Sequence, residues 1–192
     1  MAASPVETRR RLVTVDEYDQ MVQAGVFPPD DRLELIEGEI IKMSPIGSVH
    51  AAFVIRLNRL LGTLAGAHAL IGVQSPIHLP RSEPQPDALL LRPRADDYEG
   101  ALPEAADVLL AIEVSDTTAH FDRTVKIPLY GRAGIPAAWL IDVEARLLEA
   151  YHGPSAGGYR EKRTYGPEET VAVPGVPGAS LNLRDLFVTS SQ

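Results

Sequence analysis

Four charged residues stand where the surrounding sequence gives no ordinary reason for charge: Glu34, Asp87, Glu113 and Lys126. Glu113 is the clearest case, because it follows the apolar run VLLAI at 108–112, which is typical of a strand buried on both faces. A carboxylate at the end of such a strand is costly to bury unless a partner or a metal ion compensates its charge. We therefore interpret Glu113 as a candidate metal ligand.

Asp87 is the natural partner of Glu113. It precedes a second apolar segment, predicted to be a strand at 88–91. If this strand runs antiparallel beside the strand that ends near Glu113, the two carboxylates become neighbours. They would repel each other unless a cation or a shared proton intervenes. Oxygen ligands in a chain without cysteine and without paired histidines favour Mg²⁺ or Mn²⁺ over zinc.

The chemistry that suits such a site is hydrolysis of a phosphodiester bond. A bound metal ion polarises the phosphoryl oxygen and lowers the pKa of a bound water. A nearby lysine stabilises the negative charge of the transition state or orients the water. Lys126, in a helix predicted at 118–133, is the candidate lysine. Glu34 adds a third carboxylate on a predicted hairpin, on the face opposite Leu33 and Leu35.

Each of these residues also has a purely structural interpretation. Asp87 follows Pro86 and fits a turn cap, and Glu113 fits a structural ion pair with an arginine. Asp122 and Lys126 have the i,i+4 spacing of a surface salt bridge. We expect Asp122 to be structural.

Three further side chains have expected positions near the site or in the core. His50 at a helix start is expected to cap or pack, with contact to a substrate phosphate as the alternative. Tyr130 is expected to pack against the sheet with its hydroxyl near the site, and Trp139 to lie in the core.

The elements that must position these residues follow from periodicity, capping and turn signals. Thr14 and Glu17 have capping-box spacing, and Pro128 is expected to kink or divide the helix that contains it. The strand–helix–strand unit at 108–143 implies a parallel crossover within a mixed sheet. The first predicted elements are a helix at 15–24, a hairpin at 32–43 and a helix at 48–65, whose apolar residues are Phe53, Ile55, Leu57, Leu60, Leu61 and Leu64. Strands follow at 69–74, 88–91, 108–114 and 137–143, and in one alternative 77–79 extends the first of them. The last predicted elements are edge strands at 146–152 and 158–165, a strand at 170–173 and a helical turn at 183–187.

Length and composition set the broad class. A chain of 192 residues is expected to form one domain, at 1–192, with a sizeable core. The net charge of −8 argues mildly against broad non-specific binding of nucleic acid. The first residues, MAASPVETRRR, lack the apolar stretch of a signal peptide, and no run approaches membrane-spanning length. A cytoplasmic protein without a membrane partner is the expectation.

An ordered set of short motifs carries a family resemblance. The set comprises E-L-I-x-G at 34–38, S-P at 44–45, His50, P-D at 86–87, E-V-S at 113–115, D-x3-K-x3-Y at 122–130 and W-x-x-D at 139–142. It resembles the PD-(D/E)XK nuclease superfamily and, within it, the Uma-two family of restriction endonucleases, over about residues 14–145. The resemblance implies an α/β (α+β) fold of the restriction endonuclease-like type, in which helices flank a mixed β-sheet. An N-terminal helix and hairpin would precede the sheet, and residues 146–192 would form a β-rich C-terminal extension.

By this resemblance, Asp87 and Glu113 are metal ligands, the main-chain carbonyl of Val114 is a third, and Glu34 is an accessory acidic group. The superfamily's lysine usually lies two residues after the acid, where this chain has Ser115, so Lys126 in the next helix becomes the candidate. A second departure is Ala137, where relatives commonly carry glutamate.

The implied activity is that of a Mg²⁺- or Mn²⁺-dependent endonuclease that cuts DNA and forms a homodimer, with 146–173 as the candidate interface. Two alternatives stay open: a non-catalytic binding module of the same fold, and a metal-dependent hydrolase of a small phosphorylated molecule.

Overall fold

The computed structural model describes residues 10–188, so most of the N-terminal segment used above to predict the absence of a leader lies outside the described residues. None of the described helices combines the length and apolar character that crossing a membrane requires. The elements in chain order are α1 (Val15–Gln23), β1 (Leu33–Ile36), β2 (Glu39–Lys42), α2 (Ser48–Ala65), β3 (Leu70–Val73), β4 (Ala88–Leu91), a 3₁₀ turn (Ala105–Asp107), β5 (Val108–Ser115), α3 (Ala119–Phe121), a π-helical turn (Asp122–Lys126), α4 (Ile127–Arg132), β6 (Ala137–Asp142), β7 (Leu147–Ser155), β8 (Gly158–Tyr165), β9 (Thr170–Ala172), β10 (Ser180–Asn182) and α5 (Leu183–Leu186).

A mixed six-stranded sheet in the order β3-β4-β5-β6-β7-β8 forms the centre of the fold. The β5–β6 pair is parallel and the other pairs are antiparallel. The crossover between β5 and β6 runs through α3, the π-helical turn and α4, as predicted. All eight residues of β5 are buried, because the sheet is covered on both faces at this strand. The predicted fold class, a mixed sheet flanked by helices, is confirmed.

The register of β4 against β5 determines the relative positions of Asp87 and Glu113, the two predicted side-chain metal ligands. The strands are antiparallel and Ala88 pairs with Ile112. Asp87, one residue before Ala88, therefore lies beside Glu113 and Val114, one and two residues after Ile112. The predicted strand pairing is confirmed.

The N-terminal hairpin forms around the turn expected from its sequence. Glu37 and Gly38 both have positive φ, at 50° and 83°, which a two-residue hairpin turn requires. Leu33 pairs with Lys42 and Ile36 with Glu39, so Glu34 lies in the middle of β1. The backbone amide of Glu83 donates to the carbonyl of Leu35, which ties this hairpin to the segment that precedes β4.

The helix that contains Pro128 is divided, as predicted, and the division takes the form of a π-helical turn at Asp122–Lys126. Proline has no amide hydrogen, and its ring clashes with the carbonyl four residues earlier, so a regular α-helical turn is costly there. The wider turn directs both Asp122 and Lys126 towards the sheet, where both are buried. The surface salt bridge considered for this pair is therefore wrong.

Two predictions about the elements before β4 need correction. Ile55 is 70% exposed, because α2 contacts the sheet through only one face, formed by Val54, Leu57, Leu61 and Ala65. The segment Ile77–Leu79 does not extend β3: it makes isolated bridges from His78 to Glu104 and from Leu79 to Ser82.

The strands after residue 146 also differ from the prediction. β7 reaches Ser155, beyond the predicted end at 152, and β8 begins at Gly158, so only two residues connect the strands. Of the two predicted edge strands, β7 is an interior strand of the central sheet and β8 is an edge. Strand β10, which was not predicted, pairs with β9 in a small separate ladder. Strands β7 and β8 thus enlarge the central sheet. Helix α4 packs across both of them as well as across β6.

Candidate active site

Lys126 lies at the centre of a group of buried carboxylates. Its side chain is 2% exposed, and its ammonium nitrogen lies 2.8 Å from Oε1 of Glu113 and 3.0 Å from Oε1 of Glu34. The carbonyl of Gln85, at 3.4 Å, is a third acceptor. The three donors of the ammonium group are thus matched by three protein acceptors from separate parts of the chain. The structure brings together the predicted Lys126, Glu113 and Glu34.

Glu113 is held by two donors at one of its oxygens. Besides Lys126, the hydroxyl of Tyr130 donates to Oε1, and Tyr130 is fully buried. Lys126 and Tyr130 are one helical turn apart, so a single stretch of helix supplies both donors. Within residues 10–188, Oε2 of Glu113 accepts no hydrogen bond, and the residue lines a cleft. One oxygen of Glu113 is therefore fixed, and the other is available.

Asp87 is fixed through both of its oxygens. Oδ2 accepts the backbone amide of Val114 at 2.9 Å, and Oδ1 lies 2.8 Å from Nε2 of His50. A carboxylate has about four acceptor positions, so two remain after these bonds. His50 comes from the first turn of α2, which begins after Gly47. The expectation that His50 only caps or packs missed this contact.

The main-chain carbonyl of Val114 is oriented towards the side of the strand that Asp87 occupies. In an extended strand the amide and carbonyl of one residue point to the same edge. The amide of Val114 points to Asp87, whereas the carbonyl of the next residue, Ser115, accepts the amide of Val143 beyond β6. The carbonyl of Val114 therefore points away from β6. This direction agrees with the predicted third ligand, although the role itself stays a prediction.

Glu34 is buried with one oxygen bonded and one without a partner. Oε1 accepts the amide of Gln85 at 2.9 Å as well as the ammonium of Lys126. Oε2 is buried and accepts no hydrogen bond from the part of the chain that the structure describes. A buried carboxylate oxygen without a donor is costly, so this oxygen marks a place where a water or a hydrated ion would be stabilised.

Asp122 has the structural role that was expected. Its Oδ2 accepts the hydroxyls of Ser115 at 2.7 Å and Thr118 at 2.6 Å. Ser115 is fully buried at the position where the superfamily's lysine is expected, and it bonds to Asp122 one turn before Lys126. This bond ties the end of β5 to the π-helical turn that directs Lys126 inward.

The ionisation of this group follows from burial and from an excess of carboxylates. Burial raises the pKa of Glu113 well above its ordinary value, and although Lys126 opposes the rise, Asp122, Asp87 and Glu34 add to it. Burial alone would lower the pKa of Lys126, but Glu113 and the other carboxylates outweigh it and raise the pKa. Lys126 is thus a lasting cation among an excess of carboxylate groups. The site therefore favours an added cation.

His50 and Tyr130 respond to the same charges. The hydrogen bond to Asp87 raises the pKa of His50, against an opposing effect of burial. Burial raises the pKa of Tyr130 well above its ordinary value, and Glu113 raises it further. Tyr130 is therefore a neutral donor throughout the physiological range.

These side chains line an acidic cleft with a cavity volume of about 70 Å³. Its walls are Glu34, Asp87, Glu113 and Lys126 on one side and the 43–47 loop with His50 on the other. The volume admits a few water molecules or a partly hydrated ion. Tightly enclosed organic ligands are excluded from it by size.

The donor set fits a magnesium-type ion. No cluster of three histidine or acidic side chains in a metal-holding arrangement occurs among residues 10–188. Mg²⁺ does not need such a cage, because proteins usually hold it through one or two carboxylates while it keeps several waters. Asp87 and Glu113 retain free acceptor positions, and the carbonyl of Val114 points to the same side. An all-oxygen set of this kind favours Mg²⁺ or Mn²⁺ over zinc.

Sequence reasoning missed His50 as a partner of Asp87 and Gln85 as a double backbone partner of Glu34 and Lys126. Both contacts are long-range: His50 and Asp87 are 37 residues apart. His50 belongs to the ordered motif set, and this membership was the sequence signal that it lies near the site. The prolines on both sides of Gln85 indicate a rigid extended segment. They do not indicate which residues contact this segment.

Comparisons with known proteins agree with this fold. A family model named Uma2 and described as "Putative restriction endonuclease" matches residues 15–184. No curated protein matches the chain. A solved structure from Anabaena variabilis ATCC 29413, described as "a putative nuclease belonging to DUF820", is similar with 21% sequence identity and a TM-score of 0.71. The match covers 91% of this chain and 97% of that chain, and at this identity it shows the fold.

Proposed function

Because this chain belongs to the Uma2 family of restriction endonuclease-like proteins, we propose that it is a nuclease that hydrolyses DNA phosphodiester bonds at the acidic cleft with the help of Mg²⁺ or Mn²⁺. Family membership supports a nuclease in general. The metal, the DNA substrate and the roles of individual residues are the parts that we add.

One observation carries the proposal: the buried ion pair of Lys126 with Glu113 opens onto a cleft beside Asp87. A buried ion pair rarely stabilises a fold more than apolar side chains of the same volume would. Three carboxylates around one lysine leave surplus negative charge, which folding alone does not require. The arrangement is better explained by a cation and a phosphate that enter the cleft.

Asp87, Glu113 and the carbonyl of Val114 are the groups that would hold the metal ion. When bound there, the ion supplies positive charge for the phosphoryl oxygens and makes a water more acidic. His50 and the Val114 amide keep the Asp87 carboxylate in one orientation. Tyr130 does the same for Glu113. These contacts place the acidic oxygens before substrate arrives, so little reorganisation is needed during the reaction.

Lys126 is the group we assign to charge stabilisation. Its contact with the Gln85 carbonyl is the longest of the three, at 3.4 Å, and is the one most easily exchanged for a water or a phosphoryl oxygen. Its bonds to Glu34 and Glu113 would hold the ammonium in place during that exchange. Glu34 is thus an accessory residue that positions Lys126.

The test is cleavage of supercoiled plasmid and of single-stranded DNA in Mg²⁺ or Mn²⁺. The variant Glu113→Gln removes one charge with almost no change of shape, and activity should be lost. Glu149→Gln is the matched control, since Glu149 is a buried carboxylate of the same sheet that pairs with Arg123 outside the cleft. Activity that survives in Glu113→Gln, or none in the unaltered protein under any metal condition, would contradict the proposal.

The predicted homodimer stays a proposal of the same kind, since two copies related by a two-fold axis would cut both strands of a duplex. The exposed edge strand β8 carries Arg160, Glu161, Lys162 and Arg163, and charges along an edge oppose strand-to-strand pairing. A dimer would therefore use another surface than this edge. Light scattering of the full chain measures the stoichiometry.

A further inference from the structure

A second and larger cavity lies directly beside the acidic cleft. Its volume is about 760 Å³, and Arg32 and Gln85 line both spaces. Helix α1 and the 25–32 loop form one side of it, with Tyr18 and Phe27 among the lining residues. We refer to this space, lined by Tyr18, Asp19, Phe27, Pro28 and Glu83, as the aromatic cavity.

The aromatic cavity has one apolar wall suited to stacking. The rings of Tyr18 and Phe27 have centroids 6.0 Å apart and are tilted by 38°. The hydroxyl of Tyr18 donates to the carbonyl of Leu33, which fixes its ring against β1. Phe27 is half-buried and lines the cavity, so part of its ring is accessible there. An aromatic face exposed in a cavity is a surface on which a planar ligand stacks.

An acidic pair, Asp19 and Glu83, also lines the aromatic cavity. Glu83 is half-buried, and its Oε2 is buried without a hydrogen-bond donor among the described residues. Burial raises the pKa of Glu83 to about 7, and the charge of Asp19 and a hydrogen bond between the two carboxyl groups add to the rise. A pair of adjacent carboxyl groups, one of them easily protonated, accepts hydrogen bonds and can also donate one.

A rigid segment connects this acidic pair to the catalytic carboxylates. In Glu83-Pro84-Gln85-Pro86-Asp87, the prolines fix their own φ and force the residue before each into an extended conformation. Pro84 and Pro86 are buried, whereas Glu83 and Gln85 are half-buried and line the cavity. At about 3.3 Å per extended residue, Glu83 lies about 13 Å along the chain from Asp87. The segment therefore holds the two sites at a nearly constant spacing.

We propose that the aromatic cavity binds one unpaired, amino-bearing nucleobase of the substrate strand, adjacent to the phosphate that enters the acidic cleft. Phe27 provides the stacking surface, with Tyr18 packed beside it, and the carboxyl groups of Glu83 and Asp19 accept the exocyclic amino group. Adenine, cytosine and guanine each carry such an amino group. Thymine has none, and its single pairing-edge donor, N3–H, lies between two carbonyl oxygens that a carboxylate repels. Enzymes that read an extruded base combine stacking with hydrogen bonds to its pairing edge in this way.

This inference rests on the proposed nuclease function, and its test is independent of cleavage. Binding of dAMP, dCMP, dGMP and dTMP to the full chain is measured by calorimetry in a chelator, so that no metal-dependent reaction takes place. The three amino-bearing nucleotides should bind at least about tenfold more tightly than dTMP. Replacing Glu83 with leucine should remove this difference.

Stacking is tested with Phe27→Leu, which keeps an apolar side chain but removes the ring. Affinity for all amino-bearing nucleotides should fall about fivefold or more. Ile55→Ala, on the exposed side of α2 and away from both spaces, is the control and should bind as the unaltered protein does. Circular dichroism melting confirms that each variant folds.

Equal binding of dTMP and dCMP, unchanged binding by Phe27→Leu, or no nucleotide binding at all would each overturn the inference. Plasmid cleavage decides the proposed function separately. Nucleotide selectivity without cleavage would reject the nuclease while supporting the base site. Cleavage without selectivity would reject the base site alone.

Discussion

Lys126 lies 2.8 Å from Glu113 although the two residues are on different elements and Ser115 occupies the usual lysine position. The π-helical turn before Pro128 makes this possible, because it directs the side chain at position 126 towards β5. The lysine thus reaches the acid from the following helix. The hydroxyl of Ser115 donates a hydrogen bond to Asp122 and so connects the end of β5 to the same turn.

Lys126→Met should abolish cleavage and also destabilise the fold. The charge that would stabilise the transition state is lost, with an expected rate decrease of about 100-fold or more. Glu34 and Glu113 would be left buried without their partner, at a cost of about 3–5 kcal/mol in unfolding free energy. Urea unfolding and plasmid cleavage measure the two effects. Lys162→Met, at a side chain that is 48% exposed, should change stability by less than about 1 kcal/mol and leave the rate unchanged.

Tyr130→Phe should slow cleavage with only a small loss of stability. The change removes the single hydrogen bond that, with Lys126, orients Glu113, at a cost of about 1 kcal/mol. We expect the maximal rate to fall about tenfold while KM changes little. Tyr159→Phe removes a comparable bond, from its hydroxyl to the carbonyl of Ile135. It should cost similar stability without any change in rate, and equal rates in both variants would exclude a positioning role for Tyr130.

Divalent metal should stabilise the protein through Asp87 and Glu113. A ligand that binds only the folded state adds about 2.7 kcal/mol at 100 times its Kd. Thermal melting should therefore shift upwards with Mg²⁺ in the unaltered protein. Asp87→Asn should remove the shift, because one of the two carboxylates that hold the ion is neutralised. A shift that persists in this variant would place the ion elsewhere.

The stability of the protein should depend on pH through Glu83. Its pKa is raised from 4.5 to about 7, so the folded protein binds a proton that the unfolded chain releases. The free energy of unfolding should fall as pH rises from 4.5 to 7. Glu83→Gln stays neutral, so at pH 8 it should be more stable than the unaltered protein by about 1–2 kcal/mol, allowing for partial exposure to solvent. At pH 4 the two proteins should be equally stable, which urea unfolding at both pH values checks.

Two glycines in helices should respond oppositely to alanine. A Cβ on Gly131 would lie 2.3 Å from the backbone of Gly158, where α4 crosses the start of β8. Neither backbone can move freely, so Gly131→Ala should cost about 2–3 kcal/mol. A Cβ on Gly62 in α2 meets its nearest neighbour, Cδ1 of Ile71, only at 3.8 Å. Gly62→Ala should therefore stabilise the protein by about 0.5–1 kcal/mol, and chemical unfolding of both variants tests the pair.

The sequence predicted those features that arise from neighbouring residues. The capping box of Thr14 and Glu17 forms at the start of α1. The apolar run at 108–112 is a strand buried on both faces, and Pro128 interrupts the helix that contains it. Periodicity, side-chain capping and proline geometry act over a few residues, so each can be recognised locally.

Some features of the candidate site were within reach of the sequence, and others were not. The proximity of Asp87 and Glu113 followed from assuming that two apolar strands pair antiparallel. The partners of Asp87 and Glu34 did not follow, because His50 and Lys126 approach them from 37 and 92 residues away. No local pattern specifies which neighbour a buried carboxylate acquires.

The sequence by itself determined which residues must be buried in strands and which of those carry charge. The tertiary structure alone decided that Lys126 turns inward, that His50 meets Asp87, and that β7 and β8 join the central sheet. The physical reason is that a buried charge is stable only with partners. Those partners come from elements whose relative placement depends on how the whole core packs.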